Sequence, residues 1–124
     1  MPAMRSILRG MLEEIGFSQI TEAEDGETAW QLIRDAASAA RSPADAFGLV
    51  IADWNMPKMS GVDLLRAIRA LSFTRDLPFF MVTAEGDQSH LSGAVRAGVT
   101  DYVVKPFNAR DLGQKIDKAL LRWK

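Results

Sequence analysis

The sequence predicts an α/β fold, a parallel sheet covered by helices on both faces, and three observations predict it. Short apolar runs alternate along the chain with segments whose apolar residues recur at helical spacing, the order expected of strand-helix units. The runs are apolar at consecutive positions, as in strands buried on both faces. A chain of 124 residues that is 48% hydrophobic can also bury one sizeable core, so a single domain is expected over 1–124.

Each element has its own signal. Met4, Ile7, Leu8, Met11 and Ile15 share one helical face, Pro2 suits a first turn, and Gly16 suits a left-handed cap, so the chain is expected to begin with a helix. Ser18 to Ala23 reads as a short strand closed by the turn pair Asp25-Gly26. Ala29, Leu32, Ile33, Ala36, Ala37 and Ala40 mark a second helix, followed by a polar linker from Arg41 to Ala46. Phe47 to Ala52 is an apolar strand that stops abruptly at Asp53.

After a loop from Trp54 to Met59, Ser60 is a candidate N-cap for a third helix carrying Leu64, Leu65, Ile68 and Leu71. Leu77 to Val82 is another buried strand, with Pro78 near its start, where a missing donor is tolerated. Leu91, Ala94 and Val95 place a fourth helix ended near Gly98, and Asp101 to Val104 forms the last strand. Leu112, Ile116, Ala119, Leu120 and Trp123 make a closing amphipathic helix. The count is four strands and five helices.

Bulk chemistry narrows the function classes. Fifteen basic residues against sixteen acidic ones leave a net charge of −1, without the electrostatic footprint of a nucleic-acid or membrane-surface binder. The absence of cysteine removes disulfides and thiolate metal sites and fits a cytoplasmic setting. No apolar run approaches the ~20 residues of a spanning helix, and no targeting segment is evident, so a soluble protein is expected.

In parallel sheets chemistry gathers at the C-terminal strand ends. That rule selects Asp53, Thr83 and Lys105, each of which follows an apolar run. Singly they read as a cap, a β-branched strand residue and a surface amine. Together, a carboxylate, a hydroxyl and an ammonium can carry, bond and neutralise a phosphoryl group. His90, the sole histidine, falls on a helix and is expected at the surface, and the six methionines read as packing.

The segments VIADWNMPKMSG from Val50 to Gly61, MVTAE from Met81 to Glu85 and YVVKPF from Tyr102 to Phe107 resemble the signature blocks of response-regulator receiver domains. They are most like those of the single-domain chemotaxis regulators of the CheY type. The resemblance covers nearly the whole chain and implies a flavodoxin-like doubly wound sheet of order 2-1-3-4-5. It further implies that Asp53 accepts phosphoryl from a histidine kinase as an acyl phosphate. Lys105 would pair with the phosphoryl oxygens, Thr83 would bond one of them, and Tyr102 would be the coupled aromatic switch.

The same resemblance gives Asn55 a backbone carbonyl for magnesium beside Asp53, and gives Asn55 and Glu85 side chains that tune the lifetime of the acyl phosphate. It makes Lys105-Pro106 a cis peptide. Trp54 is expected to report binding at Asp53 by fluorescence. The partners implied are the kinase and a motor-switch or other target protein, engaged through the fourth helix, last strand and fifth helix.

One feature of the family pattern is missing. A receiver opens with a buried strand ending in an acidic pair, and here Met1 falls just after the place where that pair would stand. The chain therefore reads as N-terminally truncated by one central strand. Two exposed strand edges are expected in consequence, and with them strand sharing, a homo-oligomer or a rearrangement. Weak magnesium binding and slow phosphorylation are expected as well. The second functional reading, a phosphorylation-independent interaction module, follows from the missing pair, and the intact trio opposes it. An enzyme reading lacks both a glycine-rich phosphate loop and a Ser-His-Asp set.

Overall fold

A computed structural model describes residues 2–39, 47–54, 58–84, 89–105 and 107–123. Its elements run α1 (Pro2–Ile15), α2 (Gly26–Ala39), β1 (Val50–Asp53), α3 (Gly61–Ala70), β2 (Phe79–Ala84), α4 (Ser89–Ala97), β3 (Asp101–Lys105) and α5 (Ala109–Trp123). The five helices are those the periodicity predicts. Several of the signals act as expected: Gly16 takes φ 128°, and the Ser60 side chain accepts the Asp63 N–H at 3.2 Å as the cap of α3.

The strands form a parallel sheet in the order β1-β2-β3, with Val50 opposite Phe79 and Val82 opposite Val103. One face packs on α2, α3 and α4 through Ile33, Leu64, Leu65, Ile68, Phe79, Met81 and Ala94. The other packs on α1 and α5 through Phe80, Val103, Leu112, Ile116 and Ala119, joined by Leu8, Met11 and Leu12. Phe79, Phe80, Met81 and Val82 are all fully enclosed, which is why that run carries no polar position. Burying each of their side chains stabilises the sheet by roughly 1.5–3 kcal/mol.

The strand expected at Ser18 to Ala23 is not formed. Residues 17–23 hold no strand pairing, so the described residues contain three strands and not four. Strand formation needs an adjacent partner, and between this segment and β1 lies a cavity of about 690 Å³. Side chains hold the segment in place instead. Arg9 donates to the Ile20 carbonyl at 3.0 Å and pairs with Glu22, which also faces Arg5 at 3.8 Å.

The strand ends also differ from the expected ones. β1, β2 and β3 extend one or two residues further, so that Asp53 and Lys105 are the last residues of their strands and Thr83 the penultimate one. The ladder continues past the apolar runs because backbone pairing does not depend on side-chain polarity, and Trp54 N–H still donates to Val82 O at 3.1 Å. No described helix is long and apolar enough to cross a membrane.

Candidate functional site

Parallel register brings two of the three strand-end residues into direct contact. Asp53 ends β1, Lys105 ends β3, and the Lys105 Nζ donates to Asp53 Oδ2 at 2.9 Å across the intervening strand. Both side chains are about one-quarter exposed, open enough to meet a solute from solvent. Thr83 lies between them on β2, opposite Val104 and one step beyond the level of Asp53. It is buried, and among the described residues no hydrogen bond links it to the pair. The site is thus a carboxylate and an ammonium in contact, with a sheltered hydroxyl between their strands.

The remaining expected residues divide. Tyr102 sits in β3 opposite Met81, partly buried, with Lys115 Nζ donating to its carbonyl at 2.6 Å and lying 5.0 Å from its ring centre. Trp54 follows Asp53 and reaches towards α4, where its Cη2 lies 3.7 Å from the place a Cβ on Gly93 would occupy. Asn55, Glu85 and Pro106 lie outside the described residues, as does the side chain of His90.

Sequence reasoning missed the support beneath the loop that follows Asp53. A Cβ on Gly61 would stand 2.4 Å from the Asp53 carbonyl oxygen, and one on Gly26 would stand 2.0 Å from that of Met59. Only glycine lets these backbones approach so closely. Between the two contacts Lys58 adopts φ 66°, a left-handed conformation uncommon for a side-chain-bearing residue. Its Nζ lies 3.7 Å from Asp25 Oδ2, while Asp25 Oδ1 accepts the Thr28 N–H at 2.7 Å and so caps α2.

That N–H, aided by Lys58, holds the Asp25 carboxyl below the usual aspartate value despite the opposing cost of its burial. The signal available in the sequence was Asp25 three residues ahead of Thr28 at the start of a helical period, a cap as well as a turn.

Magnesium, which the resemblance implies, fits poorly to the described donors. They include no group of three acidic or histidine side chains able to hold a metal, and the Asp53 carboxylate already meets Lys105. Magnesium demands a near-octahedral shell of oxygens, and these residues supply too few.

The response regulator receiver domain model matches residues 1–117, and the chain belongs to that family of two-component signalling domains. It is similar to the chemotaxis protein CheY of Pseudomonas aeruginosa, at 42% identity over 96% of this chain and 89% of that protein. It is also similar to CheY-3 of Vibrio cholerae, at 40% identity over 96% and 85%.

Among solved structures, the receiver domain of NtrX from Brucella abortus has a TM-score of 0.79 at 28% identity, covering 96% of this chain and 91% of that one. The receiver domain of a P. aeruginosa sensor histidine kinase has a TM-score of 0.74 at 28% identity, covering 99% and 89%, and holds a magnesium ion in its active site cleft. A receiver domain protein of Clostridium thermocellum, at 24% identity, shares the fold with a TM-score of 0.83, covering 98% and 89%. The flavodoxin-like class expected from the resemblance is the class these neighbours share.

Proposed function

We propose that the chain is a phosphoacceptor signalling domain, not an enzyme in its own right, in which Asp53 takes a phosphoryl group from a histidine kinase. A carboxylate oxygen of Asp53 attacks phosphorus, the phosphorus-nitrogen bond to the kinase histidine breaks, and an acyl phosphate remains. The observation that carries this reading is the 2.9 Å contact of Lys105 Nζ with Asp53 Oδ2. An ammonium at that distance counters the charge of an incoming phosphoryl group and can transfer its bond from the carboxylate to a phosphoryl oxygen.

Thr83 supplies a second donor once its buried hydroxyl turns towards the added oxygens, and Tyr102 follows by the coupling that the family resemblance implies. The output surface is then the α4-β3-α5 face around Tyr102, where Val95 and Val104 are exposed. Similarity to chemotaxis proteins supports a motor-switch protein as its partner. Asn55 and Glu85 are assigned the tuning of acyl phosphate lifetime, and Asn55 a carbonyl for magnesium beside Asp53.

Intact mass after incubation with acetyl phosphate tests the assignment. One phosphoryl adduct is expected, absent in Asp53→Asn and reduced at least several-fold in Lys105→Met, whose folding should change by less than about 1 kcal/mol because the pair is partly exposed. An adduct that survives Asp53→Asn sinks the reading. The shortage of described metal donors favours a second one, an interaction module that uses the same face without phosphorylation. A chain that takes no adduct but binds its target equally well as wild type and Asp53→Asn would establish that alternative.

A further inference from the structure

Tyr102, the sole tyrosine of the chain, sits on a strand edge that side chains close. Val50 and Trp54 take the carbonyls of Pro78 and Val82, so β2 gives its even-numbered backbone groups to β1 and its odd-numbered ones to β3. Phe79 N–H accordingly turns the other way, to Thr100 Oγ1 at 2.9 Å. In a parallel pair a residue that bonds its partner strand faces one that does not, and Tyr102 lies opposite Met81. Its N–H and C=O therefore point away from β2, to the outer edge of the sheet, since β3 is last in the order of the described strands.

Two side chains occupy that edge. Asp101 Oδ1 accepts the Tyr102 N–H at 2.8 Å, Lys115 Nζ donates to the Tyr102 carbonyl at 2.6 Å, and Asp101 Oδ1 lies 3.6 Å from Lys115 Nζ. The circuit closes on itself around one residue. Lys115 also crosses the sheet edge: it precedes Ile116, which lies in the core on one face, whereas Tyr102 packs with the core on the other. Its ammonium nonetheless lies 5.0 Å from the centre of the Tyr102 ring. A single cation thus meets a carbonyl, a ring and a carboxylate, although 37% of its side chain is open to solvent. An exposed ion pair alone would hold little. Three convergent acceptors offset the rotamer freedom that a lysine loses on being fixed.

We propose that Lys115, with Asp101, is a positioning residue for Tyr102: it latches the ring at the outer edge of β3, and movement of the ring requires the ammonium to release it. The inference rests on the reading of Tyr102 as the residue that follows phosphorylation of Asp53. Under that reading the switch is restrained from α5, on the output surface, as well as from the site at the strand ends.

The test uses the full chain with 3-fluorotyrosine in place of tyrosine, which gives a single fluorine resonance because Tyr102 has no other tyrosine beside it in the sequence. Lys115→Met keeps the aliphatic stem and removes the cation, whereas Lys115→Arg keeps both the cation and its donors. The offset of the wild-type resonance from that of the urea-unfolded chain is expected to fall at least twofold in Lys115→Met and to survive in Lys115→Arg. Asp101→Asn keeps an acceptor for the Tyr102 N–H but no charge for Lys115. Its resonance is expected between the two, and it carries the test should Lys115→Met not fold.

Acetyl phosphate is then added, with the adduct counted by intact mass in the same samples. The change in resonance per adduct is expected to be at least twofold smaller in Lys115→Met, whose ring is already free. Resonances of Lys115→Met and Asp101→Asn that match wild type overturn the latch. So does an equal change per adduct in wild type and Lys115→Met. A wild type that takes no adduct fails the Asp53 reading alone, and the spectra without acetyl phosphate still decide whether Lys115 holds Tyr102.

Discussion

On the side of β1 that faces β2, ladder bonds run from Val50 to Trp54 and the adjoining residues Phe79 to Val82 are fully enclosed. On the side that faces residues 17–23, a cavity takes the place of a ladder, and Phe17 and Ile20 are only half-buried. Asp53 and Lys105 both depend on the first side alone, since the register that joins them passes through β2. The contact at the heart of the candidate site can thus form without the second side being filled.

The largest expected effect comes from cutting equal side chains on the two sides. Phe80→Ala opens a void in a fully buried position and should cost about 3–5 kcal/mol in urea denaturation followed by circular dichroism. Phe17→Ala removes a half-buried ring beside existing empty space and should cost on the order of 1 kcal/mol. Equal losses would break the comparison, because they would mean that the 17–23 side is as tightly packed as the β2 side.

The same division governs what could be read from the sequence. Helices were legible because their signals are local: Gly16 and Ser60 end or begin an element through bonds within a few residues. The candidate pair was legible because both members end apolar runs, and a parallel sheet carries all such ends to one edge. Ser18 to Ala23 has the composition of a strand but not the neighbour that would make it one, and a neighbour is a non-local fact. Gly26 was read only as half of a turn, since its approach to Met59 joins elements more than thirty residues apart. Arg69 escaped notice for the same reason: it holds α3 to the start of β2 and the end of α4 through the Leu77 and Gly98 carbonyls, and that enclosure lowers its pKa.

A second expectation separates these contacts from glycines that merely lie along a helix. Gly26→Ala drives a Cβ into the Met59 backbone and should destabilise by about 1–3 kcal/mol, lowering the rate of Asp53 phosphorylation as the intervening loop shifts. Gly10→Ala meets nothing within 4 Å inside α1 and should instead stabilise by roughly 0.5–1 kcal/mol. Both are read from thermal or urea midpoints. A neutral Gly26→Ala would show that the loop after Asp53 is free to move and does not rest on α2.

The smallest effect concerns the charge of Asp25, at the boundary between the two sides. Its pKa is depressed in the folded state by the Thr28 N–H and Lys58, so the sign is that of a carboxylate stabilised when ionised. Its contribution is fully present above the unfolded value near ~3.9 and is lost as pH falls through the lower folded value. Asn caps helices as well as Asp does, so Asp25→Asn keeps the bond to Thr28 while removing the titration. The variant should therefore lose less stability than wild type as the pH is lowered from about 5 to 2. Above pH 5 it should be slightly weaker, since its amide cannot attract Lys58 as a carboxylate does. Urea midpoints for both proteins across that range decide the point. Parallel curves would mean that the Asp25 charge contributes nothing to holding α2 against the loop that follows Asp53.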